Sequence, residues 1–198
     1  MKVKLYFKPL VYLSLLFVIT GLAGCEKNDS AANFGDNYIF IPQATVSGGT
    51  NLNYTVPSGL DTNTYNYRID TKNNKVNVLL GVSCSGKVAN AGYTVNLATR
   101  TDTITQLINN GQIKVAPNAT KTVMQLPADA YSLPTAVTVP SSSYMTGYYL
   151  SIDKTKLKTY AGQKVALCVI ISNPTNYVLN QAYKQVIIII DVDALKLI

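Results

Sequence analysis

Asp191 and Asp193 stand two apart near the C-terminal end of the sequence, a spacing that would place both carboxylates on one face of a strand. Glycoside hydrolysis needs two carboxylates about 5–10 Å apart, so this pair is the first place to look for acid–base chemistry, with Asp153 and Asp70 after it. Little else supports it. There is no histidine, which removes Ser-His-Asp triads, Cys-His dyads, histidine zinc sites and histidine-ligated haem. The acids are nine Asp and one Glu, and Glu26 falls in a polar tether. The Asp residues read as turn or strand-end residues whose carboxylates satisfy backbone donors; Asp70 opens the turn-rich Asp70-Thr71-Lys72-Asn73-Asn74. A calcium site at Asp191 and Asp193 lacks the loop or repeat spacing such sites carry. No catalytic residue, metal site or cofactor is expected, and an enzyme would need an Asp pair set in a cleft.

Tyrosine is the better candidate for contact chemistry. The chain has 14 Tyr and no Trp. An aromatic face stacks on the C–H face of a sugar ring while the phenol tip hydrogen-bonds hydroxyls. Tyr65 and Tyr67 would share a strand face beside Arg68, in a segment otherwise rich in Asn and Thr. These three are the first choice for glycan contact. Tyr148 and Tyr149 would point to opposite faces, and Tyr144, Tyr160, Tyr177 and Tyr183 sit near loops or strand ends. Most tyrosines of a sandwich pack their rings and leave the hydroxyl at the surface, and the missing Trp, a common sugar platform, weighs against glycan contact.

One cysteine carries a different chemistry. Lys2, Lys4 and Lys8 precede an apolar run from Leu10 to Ile19, and Thr20-Gly21-Leu22-Ala23-Gly24-Cys25 follows. The run is about half the roughly 20 residues that span a bilayer, which marks a secretory signal rather than a membrane helix. Leu22-Ala23-Gly24-Cys25 resembles a bacterial lipobox, in which small residues admit the signal peptidase and the Cys25 thiol receives a diacylglycerol. Each buried methylene contributes roughly 0.8 kcal/mol, so two or three acyl chains hold the protein to a membrane. Residues 26–37, EKNDSAANFGDN, then read as a flexible tether. Glu26 and Asp29 beside the anchor resemble the surface-export signal of Bacteroidetes lipoproteins, although Lys27 dilutes it. The expected location is the outer membrane, on the cell surface, with the periplasmic face as the alternative. Asp29-Ser30-Ala31 and Asp102-Thr103-Ile104 resemble the short O-glycosylation signal of Bacteroidetes secreted proteins, and Ser30, in the tether, is the better site.

The formal charge of +7 shrinks to +4 without the three leader lysines. The remaining lysines are dispersed and only two arginines occur, Arg68 and Arg100. Nucleic-acid binding normally shows a concentrated basic stripe, so no nucleic-acid partner is expected.

The elements that must carry these residues are short β segments broken by turn residues. Tyr38–Ile41 ends at Pro42 and Asn51–Val56 at Pro57. Lys75–Val82 puts Val76, Val78 and Leu80 on one face, with Gly81 as a bulge or close-approach point. Tyr93–Leu97 alternates, Val137–Val139 stops at Pro140, and Tyr148–Ile152 follows Gly147. Val165–Ile171 and Gln185–Val192 are apolar enough for buried strands, and helical turns are predicted over 102–109 and 155–160. Strands at roughly 8–12-residue spacing indicate an all-β sandwich. The predicted organisation is a leader over 1–24, a lipidated Cys25 and tether over 25–37, and one sandwich over 38–198. Val186–Ile190 is apolar on both faces, so a loop or short helix covers its outer face, or a partner does.

The order of these segments resembles a known family. Tyr38-Ile39-Phe40-Ile41-Pro42-Gln43-Ala44, Val76-Asn77-Val78-Leu79-Leu80-Gly81, Ser85-Gly86, Leu126-Pro127, Tyr131-Ser132-Leu133, Val137-Thr138-Val139-Pro140, Leu150-Ser151-Ile152-Asp153 and the closing Val186–Val192 stand in sequence behind the lipobox. Together they resemble the Bacteroidetes lipoprotein domain of unknown function 1735, found at the N-terminus of proteins from polysaccharide-utilisation loci. The resemblance implies an immunoglobulin-like antiparallel β-sandwich on an outer-membrane lipoprotein. It implies a non-enzymatic role in glycan capture, or as scaffold of a glycan-uptake assembly, with polysaccharide and other outer-membrane proteins as partners. Many family members continue into a hydrolase, lectin-like or discoidin-like module, whose activity does not carry over. The alternative is a structural fimbrial or adhesion-type subunit whose terminal strand is exchanged between copies.

With Cys25 lipidated, Cys84 and Cys168 remain in an oxidising compartment, an even count that invites a disulfide. In antibody domains the equivalent early and late strands face each other across the core. Val165, Leu167, Val169 and Ile171 nevertheless form the inward set of their strand, which turns Cys168 outward. Two separate thiols are expected.

Overall fold

A computed structural model describes residues 37–45, 53–58, 66–86, 91–110 and 123–197, all within the compact unit Gly35–Ile198. Leu22, Ala23, Gly24, Cys25, Ser30 and Tyr65 lie outside the described residues.

The chain order is β1 (Tyr38–Phe40), β2 (Asn53–Val56), β3 (Tyr67–Asp70), β4 (Lys75–Cys84), β5 (Tyr93–Arg100), α1 (Thr101–Asn109), β6 (Val123–Gln125), β7 (Tyr131–Ser132), β8 (Ala136–Val139), β9 (Met145–Asp153), α2 (Lys154–Lys158), β10 (Lys164–Ser172), β11 (Val178–Leu179) and β12 (Gln185–Asp191). The first sheet runs β11-β1-β4-β9-β7 with β3 also on β4, and the second runs β2-β12-β10-β5-β8 with β6 also on β10. Taking β1, β4, β9 and β7 as strands A, B, E and D, and β5, β10 and β12 as C, F and G, this is an immunoglobulin-like sandwich order. It is not wholly antiparallel: β1–β11, β2–β12 and β6–β10 pair in parallel. Their partners are far apart in sequence, and long connections, unlike tight hairpins, permit parallel pairing.

Alternation builds the core. Val76, Val78, Leu80, Val82 and Cys84 of β4 face Val165, Leu167, Val169 and Ile171 of β10 within one buried cluster, joined by Ile188 and Ile190 of β12. Each such side chain stabilises by roughly 1.5–3 kcal/mol on burial. Gly81 is not a bulge, and a Cβ there would meet its neighbours at ordinary contact distance. The β4–β9 ladder runs unbroken from Lys75↔Asp153 to Ser83↔Met145, passing through Gly81↔Gly147. Pro42 ring atoms lie 3.8 Å from where a Gly81 Cβ would stand. The other edge of β4 has a gap between β3 and β1. There the Leu79 amide donates to the Asn66 carbonyl at 2.9 Å, and the Gly81 amide to Gln43 Oε1 at 3.1 Å. These two bonds satisfy donors that no neighbouring strand reaches.

The outer face of the second sheet is covered by α1. Ile104 is fully buried against Ala166, Cys168 and Ile187, and Leu107, Ile108, Val123 and Ile189 pack around them. The spacing 104, 107, 108 is one helical face, so the short helix meets the doubly apolar strand. Cys168 therefore sits on the outer side of β10 and Cys84 on the core side of β4, and both are buried free thiols.

Candidate functional site

Among the described residues no α-helix covers the outer face of the first sheet, although the short turn Pro42–Ala44 packs beside Gly81, and that face is where the candidate contact residues collect. β4 contributes Lys75, Asn77, Leu79, Gly81 and Ser83, opposite Asp153, Ser151, Tyr149, Gly147 and Met145 of β9. β3 adds Arg68 beside Asn77 and Asp70 beside Lys75. Arg68 reaches over β4, and its guanidinium carbon stands 4.4 Å from the centroid of the Tyr149 ring. Tyr149 remains 36% exposed and Arg68 is exposed. Beneath them Asn77 is only 6% exposed, and its Oδ1 accepts a hydrogen bond from the Ser151 hydroxyl at 2.6 Å. A buried amide on an outward face needs a partner, and Ser151 supplies one. Gly147, exposed and two residues before Tyr149 on the same face, leaves a strip of bare backbone beside the ring.

The structure brings Arg68 together with Tyr149, not with Tyr67. Tyr67 pairs with Val78 on the core side and packs, half-buried, against the main core. Period-two alternation puts residues 67 and 68 on opposite faces, so the two cannot form one contact surface. That Tyr148 and Tyr149 face opposite ways was legible, and the structure turns Tyr149 outward and buries Tyr148. The partner of Tyr149 was not legible, because two other strands had to align first. Tyr144 is 57% exposed, whereas Tyr160, Tyr177 and Tyr183 pack against the core. Tyr93 meets Tyr177 edge-on at 5.8 Å, and burial raises the Tyr93 and Tyr148 phenols well above the usual range.

The carboxylates serve local structure. β12 ends at Asp191 and Asp193 opens a 3-10 turn, so the two do not share a strand face. Asp191 pairs with Lys164 at 3.8 Å, and Asp193 Oδ1 accepts from the Gly162 amide at 2.9 Å. Asp153 caps α2, accepting from the Thr155 and Lys156 amides at 2.9 and 3.2 Å. Those backbone donors hold its carboxyl below the usual range, and hydrogen bonds from Asn73 do the same for Asp70. A general acid must keep its proton near neutrality, and these two carboxyls are tuned the other way. Among the described residues no three His, Cys, Asp or Glu side chains gather as metal ligands. Thr103 is half-buried on α1, ahead of the fully buried Ile104.

A second concavity of about 220 Å³ lies where the chain passes from β7 to β8, lined by Leu97, Ala98, Thr99, Tyr131, Leu133 and Thr135 among others. The Tyr131 hydroxyl already donates to Thr99 Oγ1 there, at 2.9 Å.

No family model matches the sequence and no curated protein matches it. Solved structures do. A Bacteroides ovatus protein described as a "putative carbohydrate binding protein" aligns at a TM-score of 0.50 and 9% identity, over 78% of this chain and 36% of its own. A structural-genomics protein of unknown function from Bacteroides ovatus aligns at 0.50 and 18% identity, over 77% of this chain and 46% of its own. A Bacteroides ovatus multidomain protein including DUF1735 aligns at 0.47 and 18% identity, over 77% of this chain and 44% of its own. The chain spans less than half the length of each of the three. At these identities the likeness is one of fold. The chain shares a two-sheet β fold with these Bacteroides ovatus proteins.

Proposed function

We propose that this chain is a non-enzymatic, lipid-anchored protein of the outer membrane, displayed on the cell surface, that assists glycan capture or scaffolds a glycan-uptake assembly. The observation that carries the reading is the Arg68–Tyr149 stack on an open sheet face. A planar, partly polar platform beside a strip of bare backbone suits the flat face and hydroxyl rim of a sugar. A structural neighbour described as a "putative carbohydrate binding protein" is in keeping with it. The lipobox at Leu22–Cys25 and the acidic residues after it support the location.

Affinity electrophoresis through gels cast with a panel of neutral and acidic polysaccharides tests the binding. Retardation of the wild type that Tyr149→Ala abolishes is expected, and migration unchanged by every polymer would refute the reading. For the anchor, labelled fatty acid should enter the wild type and not Cys25→Ala. Surface display predicts cleavage by protease added to intact cells; cleavage only after the outer membrane is broken places the protein on the periplasmic face. No observation favours an exchanged terminal strand, since β12 pairs with β10 on one side and β2 on the other within its own chain.

A further inference from the structure

We infer that the glycan taken by this face is acidic, with Arg68 reading the carboxylate or sulfate of a sugar residue; the inference rests on the glycan reading above. Its basis is the contrast between the only two arginines of the chain. Arg100 is satisfied internally: its Nε and Nη2 donate to the two carboxylate oxygens of Asp102 at 3.2 and 2.7 Å. Arg68 is exposed and, among the described residues, has no carboxylate within ion-pair distance. The acids nearest it are already engaged. Asp70 accepts from the Asn73 amide and side chain at 3.0 and 2.8 Å, and Asp153 pairs with Lys75 at 3.6 Å.

With its central carbon over the Tyr149 ring, the Arg68 guanidinium makes no hydrogen bond to a described residue, so its N–H donors remain available. The ring holds the group in place, so little order has to be imposed when an oxyanion arrives. A carboxylate or sulfate accepts two parallel N–H donors from a guanidinium, a short and strong arrangement. The sugar ring that carries the anion then has the exposed backbone at Gly147 to lie on and the edge of Tyr149 to contact. Among the described residues a neutral glycan would leave the Arg68 guanidinium without an ion-pair partner, with only the longer-range charge of Asp70 acting on it.

The test uses affinity gels containing polygalacturonate, its carboxyl-reduced form, dextran sulfate and dextran. The wild type should be retarded by polygalacturonate or dextran sulfate, and the polymer that retards it identifies the anion. Dextran and the carboxyl-reduced polymer should not retard it. Retardation should weaken as salt rises. Arg68→Ala should weaken binding roughly tenfold or more, from loss of a charge-assisted pair. Arg68→Lys, which keeps the charge and loses the fork, should fall between. Lys158→Ala, an exposed charge on α2, should bind as the wild type does. Retardation by neutral polymers alone overturns the inference and keeps the glycan reading. Acidic binding that Arg68→Ala leaves intact, or that Lys158→Ala weakens equally, also overturns it. Failure to bind any polysaccharide of the wider panel removes the glycan reading itself.

Discussion

The long strands β4 and β10 play the same part in their sheets. Each is laddered along one edge to a single strand, β9 or β12, and along the other to two strands in succession. Each turns an alternate set of apolar side chains into the shared core. Their outward sets diverge. On β10 the middle of this set, Ala166 and Cys168, has no exposure at all and is sealed with Ile187 beneath Ile104 of α1, while Lys164, Ile170 and Ser172 are half-buried. On β4 they are Lys75, Asn77, Leu79, Gly81 and Ser83, bordered by exposed Arg68, Gly147 and Tyr149. An outward face of apolar residues must be covered, so the second sheet spends its outer side on stability. The first sheet, whose outward residues tolerate water, needs no such seal.

Four experiments press on this contrast. The largest effect is expected where the second sheet is sealed. Ile104→Ala should cost about 2–5 kcal/mol in urea denaturation, the range for truncating a buried Ile, and should make Cys168 reactive to thiol reagents in the folded protein. A neutral result would mean that α1 does not hold that face closed.

Next in size is a pH effect from the same seal. Burial pushes the Cys168 thiol from 9.0 up to about 11. The native state keeps this proton after the unfolded chain has lost it. The contribution of Cys168 is therefore fully present below about pH 9 and falls by about 1.4 kcal/mol per pH unit up to about 11. Cys168→Ala should flatten that part of the stability curve. Mass spectrometry should find neither Cys84 nor Cys168 labelled in the folded protein. Both should be labelled after unfolding without reductant, and protection there would signify a bridge.

On the open sheet the stability effects shrink. Asp153 caps α2, and its carboxyl sits below the usual range because the Lys156 and Thr155 amides donate to it. Its contribution is present above the ordinary Asp range and is lost as pH falls through the lowered native value. Asp153→Ala should lower the melting temperature at neutral pH and lose less than the wild type on acidification. Asp153→Asn should retain more of the cap. An acid profile identical in wild type and Asp153→Ala would contradict the assignment.

The smallest stability effect belongs to the residue with the largest proposed effect on binding. Tyr149→Ala should change stability by no more than about 0.5–1 kcal/mol, as for an exposed side chain away from the core. A loss as large as that of Ile104→Ala would make the Arg68–Tyr149 stack a structural device and erase the distinction between the two faces.

Much of the fold was legible because its signals are local. The alternation of Val76, Val78, Leu80 and Val82, and of Val165, Leu167, Val169 and Ile171, set which face of β4 and β10 is buried, and with it the outward turn of Cys168. A helical turn over 102–109 was legible, and the structure starts it one residue earlier, at Thr101. Strands β6, β7 and β11 span only two or three residues and carry no readable period. The pairing of Arg68 with Tyr149 was not readable, although both residues were already in view. They lie 81 positions apart on strands that never touch each other, separated by β4.

The sequence by itself therefore determined the class of the fold, the faces of its long strands and the absence of histidine chemistry. Each of these depends on residue type and on a period of two or 3.6 along one segment. The tertiary structure decided which sheet α1 seals, that the short strands beside β1, β12 and β10 run parallel to them, and that Asp191 and Asp193 part company at the end of β12. It also decided which arginine lacks an ion pair among the described residues, because an ion pair needs about 4 Å between charged atoms. Only the register between strands distant in sequence sets that distance.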